Sequence, residues 1–141
     1  MRIYMAGPLF NTGETSFNSA VRDAILNLQP TWDVVLPQEL AGNLVPKATL
    51  AAIYEADVEE ITKADVICAC CNGTQVDDGT AYEIGYARAI GKRTIAWRAD
   101  LRKAGDGNGV NLMISHGVDT YVELPFTATA AEVAAKIVSV I

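Results

Sequence analysis

The chain has 141 residues, enough for about one domain with a single sizeable core. Half of its residues are hydrophobic and 20% are charged, a balance that excludes a disordered chain. A net charge of −6 with no long basic run excludes general electrostatic binding to nucleic acid and leaves a small neutral or hydrophobic ligand open.

The opening segment, MRIYMAGPLF, holds one Arg and no apolar run of signal-peptide length. No segment approaches the roughly 20 apolar residues of a membrane span, so a soluble cytoplasmic protein is expected. Arg2–Ala6 reads as a short buried strand, followed by a loop. The segment from Ser16 to Gln29 reads as a helix capped near Thr15 or Ser16, with Phe17, Val21, Ile25 and Leu28 on one face. Asp33–Pro37 is a second strand, closed by the proline, and Leu40–Ala48 is read as loop. Thr49–Ala64 is a second helix and Asp65–Cys70 a third strand. A polar loop then leads to a third helix, Thr80–Gly91, ended by its glycine. Lys92–Trp97 is a fourth strand, followed by a polar, Gly-containing loop. Val110–Gly117 is a short helix and Asp119–Leu124 a fifth strand. The last helix is capped by Thr127 or Thr129 and runs to Ile141.

Continuous apolar strands separated by helices imply a parallel sheet covered on both faces. The expected fold is a single α/β domain over residues 1–141, a doubly wound, flavodoxin-like sheet of five strands. Such folds bind ligands outside the carboxyl ends of their strands. The three cysteines, Cys68, Cys70 and Cys71, fall in one strand and its end. With His116 the only histidine and no second cysteine pair, no metal site is expected, and buried thiols in a reducing compartment are the better reading.

Two carboxylates sit where apolar residues belong. At about 100° per residue, Leu50, Ile53, Tyr54, Asp57, Val58 and Ile61 share one side of the second helix, while Glu55, Glu59 and Lys63 occupy the other. Burying an unpaired charge is costly, so Asp57 either accepts hydrogen bonds from a nearby loop or is exploited chemically. In the third helix Thr80, Glu83, Ile84, Ala87 and Gly91 share a face. Glu83 lies near the helix start, where the dipole favours the ionised form. A surface position for Glu83, or a salt bridge to Arg88 or Lys92, is the structural alternative. Asp77 and Asp78 sit at the loop–helix junction, one to cap the helix and one free to face a cleft. Two acids in one cleft, one ionised and one able to hold a proton, are the groups that glycosyl transfer requires.

Four segments in order, RIYMAGPLF, DVEEITKADV, DDGTAYEIGYARAIGK and NLMISHGV, resemble the nucleoside 2-deoxyribosyltransferases from Met1 to about Glu123. The resemblance implies that Glu83 is a nucleophile forming a covalent 2-deoxyribosyl ester. It implies that Asp57 serves the proton of the base and that Tyr4 orients the nucleophile. Asp77 then helps hold the sugar hydroxyls, which leaves Asp78 as the expected cap. Asn111 binds sugar, supplied by a neighbouring subunit, and Met113 lies near the nucleophile. Phe10 stacks near the base, Gly7 belongs to the substrate loop, and Gln38 or Glu39 falls where base-contacting residues stand. The loop Asp100–Gly109 is expected to shape the base pocket. Some family members end in an aromatic tail that reaches an active site; this chain ends in an Ala-rich helix, so no such contact is carried over.

The implied partners are a 2′-deoxynucleoside, a free nucleobase and further copies of the chain in a homo-oligomer, with no cofactor, nucleic acid or membrane. Purine and pyrimidine bases both stay open. One rival is a related hydrolase of 2′-deoxynucleoside 5′-monophosphates. Its relatives carry Ser and Arg in the first loop, whereas AGPLFNTG has no Arg to cradle a phosphate. A non-catalytic nucleoside-binding module is the other.

Overall fold

The computed structural model describes residues 1–44, 49–103 and 109–141. In chain order its elements are β1 (Arg2–Ala6), α1 (Thr12–Leu28), β2 (Asp33–Val35), α2 (Pro37–Leu44), α3 (Leu50–Lys63) and β3 (Val66–Cys70), then α4 (Asp78–Ala89), β4 (Arg93–Arg98), α5 (Leu112–Ser115), β5 (Thr120–Glu123) and α6 (Ala130–Val140). All five strands are parallel, in the order β2-β1-β3-β4-β5. That order defines a flavodoxin-like sheet, and its direction reverses between β1 and β3. The crevice outside the carboxyl ends of those two strands is where the fold leaves room for a ligand.

Alternation along the strands sorts the core into two layers. Ile3, Met5, Cys68, Cys70, Ile95 and Trp97 join Val21 and Ile25 of α1 and Val133, Ala134 and Ile137 of α6. Tyr4, Ala6, Ile67, Ala69 and Ala96 join Ile61 of α3 and Ile84 and Ala87 of α4. The three cysteines are buried free thiols, pushed up to about 12 by burial.

Three local readings change. Helix α1 starts at Thr12, earlier than Thr15 or Ser16, because Asn11 caps it: its side chain accepts from the Glu14 amide at 3.0 Å, and the Glu14 carboxylate accepts from the Phe10 amide at 2.8 Å. Leu40–Leu44, read as loop, belongs to α2. Pro37 ends the strand but also opens a helix, since a missing N–H costs nothing in a first helical turn. The remainder of that loop, 45–48, lies outside the described residues. The apolar stripe of α3 is buried only towards its end: Ile61 is fully buried, whereas Leu50 and Tyr54 are exposed. On the other side Glu59 pairs with Lys63 at 2.6 Å in solvent, as the stripe predicts. Thr129 caps α6 through a capping box with Glu132. Among the described residues no helix is long and apolar enough to cross a membrane.

Candidate active site

The two misplaced acids meet over β1. Tyr4 faces the α3–α4 layer and is fully buried. Its hydroxyl donates to Glu83 Oε1 at 2.5 Å, joining the first strand to the fourth helix across 79 residues of sequence. The same phenol acts more weakly on Asp57. Burial, the nearby Glu83 and Asp57 carboxylates and hydrogen bonding to both raise the Tyr4 pKa far above its ordinary value, so Tyr4 stays a donor at every working pH.

Burial also governs both acids. It pushes Glu83 up to about 7; the Tyr4 hydrogen bond pulls it down, and repulsion from Asp57 and Asp77 pushes it up again. Burial pushes Asp57 up to about 6, with the Tyr4 hydrogen bond opposing. The helix dipole therefore does not keep Glu83 ionised in the free site. Glu83 is the sixth residue of α4, and the dipole effect falls off within the first turn. Nor does Glu83 form the alternative salt bridge: Arg88 pairs with Asp119 at 2.5 Å.

Asp77, not Asp78, caps α4. Its Oδ2 accepts from the Thr80 amide at 2.9 Å and the Thr80 hydroxyl at 3.0 Å. Asp78 is already helical, and its Oδ1 accepts from the next amide, that of Gly79, at 2.9 Å. Asp77 also lines a cavity of about 390 Å³ with Phe10, Glu14, Asn72, Asp100 and Arg102. Sequence reasoning missed Glu14 and Asn72, and placed Arg102 no better than by its loop, because loops carry no periodic signal that brings distant residues to one wall. Asp100 was placed only within a loop expected to shape the base pocket; residues 104–108 of that loop lie outside the described residues. Phe10 is 73% exposed where it lines the cavity. Gly7 lets β1 approach β3 closely, since a Cβ there would stand 2.9 Å from Cys70 Cβ.

Two carried-over groups lie differently. The Gln38 side-chain amide holds α2 to α1: it donates to Thr15 O and Ser19 Oγ, both at 3.0 Å, and accepts from Asn18 Nδ2 at 3.2 Å. Asn111 caps α5 by accepting from the Met113 amide at 2.9 Å. Asn111 and Met113 are exposed and line a second cavity, about 790 Å³, with Ala81, Gly85 and Arg88. At 100° per residue that flank of α4 lies roughly opposite Glu83. Within one chain, Met113 is thus not brought against the nucleophile candidate.

The family model for nucleoside 2-deoxyribosyltransferases matches residues 3–113. The chain belongs to that family. A conserved protein from Enterococcus faecalis V583 superposes with a TM-score of 0.79 at 26% identity, covering 100% of this chain and 99% of its own. A 2-deoxyribosyltransferase from Bacillus psychrosaccharolyticus gives 0.67 at 25% identity, over 86% and 85% of the two chains. The CMP N-glycosidase of Clostridium botulinum gives 0.66 over 100% of both chains, and its 21% identity supports the shared fold alone. No curated protein sequence matches the chain. The nucleoside 2-deoxyribosyltransferase family is enzymatic, and deoxyribosyl transfer is the type of chemistry that the family and the Bacillus relative support.

Proposed function

We propose that the protein exchanges the base of 2′-deoxynucleosides by two displacements at C1′ with net retention. The observation that carries this reading is the Tyr4 hydroxyl donating to Glu83 beside Asp57, two half-buried carboxyls both raised by burial. Glu83, ionised, forms an ester bond to C1′ as the bond from C1′ to the base nitrogen breaks. The electron pair leaves with the base, and Asp57 delivers a proton to it. A second base then loses its proton to Asp57, attacks C1′ from the same face and releases Glu83. Without a 2′-hydroxyl the oxocarbenium-like transition state forms more easily, which favours the deoxy sugar.

Tyr4 orients Glu83 and gives its carboxylate a hydrogen bond when it leaves the sugar. Asp77 has one oxygen committed to the helix cap, and the other has no partner among the described residues, so it can accept from a sugar hydroxyl. Phe10 offers a ring face for the base, and Gly7 leaves the first loop close to β3. Gln38 reaches a base only by releasing its bonds to α1. Asn111 and Met113, turned away from Glu83 of their own chain, are presented to a neighbouring copy, giving a homo-oligomer with shared sites.

Because the two acids interact, their titrations belong to the pair. The reactive species carries one proton, on Asp57, and leaves Glu83 ionised; with Asp57 at about 6 and Glu83 at about 7 it is the minor form of the singly protonated pair in the free site. Activity therefore rises through about 6, falls through about 7, and peaks between.

Glu14, Asp77 and Asp100 surround the smaller cavity, and its cation, Arg102, is already bound to Asp100. Three carboxylates disfavour a phosphate there. The test is to incubate 2′-deoxyinosine with adenine. Formation of 2′-deoxyadenosine supports transfer. Free deoxyribose, or deoxyribose 5-phosphate formed faster from a 5′-monophosphate, supports hydrolysis instead, and no turnover with any donor supports a binding module.

A further inference from the structure

The Arg98 side chain is 3% exposed at the end of β4, beside the cleft. A buried guanidinium is costly unless its donors are met, and an aliphatic side chain would fill the same space with less desolvation. Among the described residues the hydrogen bonds of Arg98 all go to loop backbone: it donates to Cys71 O, Gly73 O and Arg102 O. Gly109 makes room for it, since a Cβ there would stand 2.9 Å from Arg98 Nε at a backbone φ of +72°. Around this contact Asn72 Oδ1 accepts from the Ala99 amide at 2.7 Å, and Asp100 Oδ2 accepts from the Gly73 amide at 2.8 Å. The segment that leads to Asp77 is thereby stitched to the segment that leads from β4, and both line the smaller cavity.

We propose that Arg98 is a positioning residue that fixes the loop between β3 and α4, and through it Asp77 and the sugar-facing wall of the cleft. This rests on the base-exchange reading for what the cleft holds, but not for the clamp itself. Arg98 touches neither Glu83 nor Tyr4, whose hydrogen bond hangs on β1 and the body of α4. Its loss should therefore weaken grip on the sugar and spare the chemical step.

The test uses the full chain carrying Arg98→Met and, as a milder change that keeps a donor, Arg98→Lys. With saturating acceptor base, Arg98→Met should raise the donor KM by roughly tenfold or more, leave kcat within about threefold, and leave both limbs of the pH profile in place. Arg98→Lys should recover part of the KM, since an ammonium reaches fewer of the three carbonyls. A lower melting temperature with unchanged KM in both variants would overturn the proposal, as would a fall in kcat with displaced pH limbs. Amide exchange gives a readout independent of activity. The Gly73 and Thr80 amides, held by Asp100 and Asp77, should exchange at least about tenfold faster in the variants, while Met5 and Ile95 in the sheet stay protected. If the parent protein turns over no deoxynucleoside, the functional reading fails; the exchange pattern still supports the clamp if Gly73 and Thr80 alone lose protection, and refutes it if they do not.

Discussion

The two faces of the sheet are built from the same five strands to different ends. Towards α1 and α6 the strands present Ile3, Met5, Ile95 and Trp97, bulky groups that fill the layer. Towards α3 and α4 they present the small Ala6, Ala69 and Ala96 beside Ile67 and the phenol of Tyr4. Small residues bring the helices close, and the space goes to a phenol and two carboxyls. One face serves packing and the other gives up packing for chemistry. The consequence is a pair of carboxyls held well above their ordinary pKa.

If the faces differ in this way, substitutions on them should fail differently. The largest effect belongs to Glu83→Gln, which should lower base exchange by on the order of a thousandfold or more, measured as product formed per folded molecule. The same variant should be more stable than the parent at alkaline pH. Glu83 rises from 4.5 to about 7 on folding, so the folded chain binds this proton more tightly and stability falls as pH climbs through that window. Replacing the charge should recover on the order of 3 kcal/mol at about pH 8 and nothing at about pH 4, read from denaturant midpoints. Equal stability at both would mean that burial does not disfavour the ionised group.

Asp57→Asn comes next, with transfer slowed by roughly a hundredfold, most for bases that must be protonated to leave. If no donor base shows a loss, Asp57 is a structural acid and the α3–α4 face carries one chemical group fewer. On the packing face, Ile137→Ala should cost about 3 kcal/mol of stability, yet leave turnover per folded molecule unchanged. A comparable loss of turnover would show that the faces are not separable. The smallest effect is expected for Tyr4→Phe, roughly a tenfold loss in turnover. Because the Tyr4 hydrogen bond holds both acids down, its removal should move both limbs of the pH profile upward. A profile that stays in place would remove Tyr4 from the proton-sharing group.

Much of the fold and part of the site are legible in the amino-acid sequence. Burial on both sides of a parallel sheet forces continuous apolar strands, so the five strands and their alternation with helices follow from composition and period. Asp57 and Glu83 stand out because a carboxylate on an apolar helical face breaks a pattern with a 100° step. The starts of α1 and α2 escape that reading for local reasons: Asn11 caps a helix outside the apolar period, and Pro37 can close a strand and open a helix. The choice of Asp77 over Asp78 as cap depends on which carboxylate reaches the Thr80 amide, a matter of one residue of register.

By itself, then, the sequence determined the doubly wound fold and singled out two acids, since both follow from hydrophobic period alone. Only the tertiary structure decided that Tyr4 donates to Glu83 beside Asp57, that burial outweighs the helix dipole at Glu83, and that Arg98 ties the loops at the cleft. Those are contacts between residues far apart in the chain, and their energies depend on distance and exclusion of water, which no local pattern encodes.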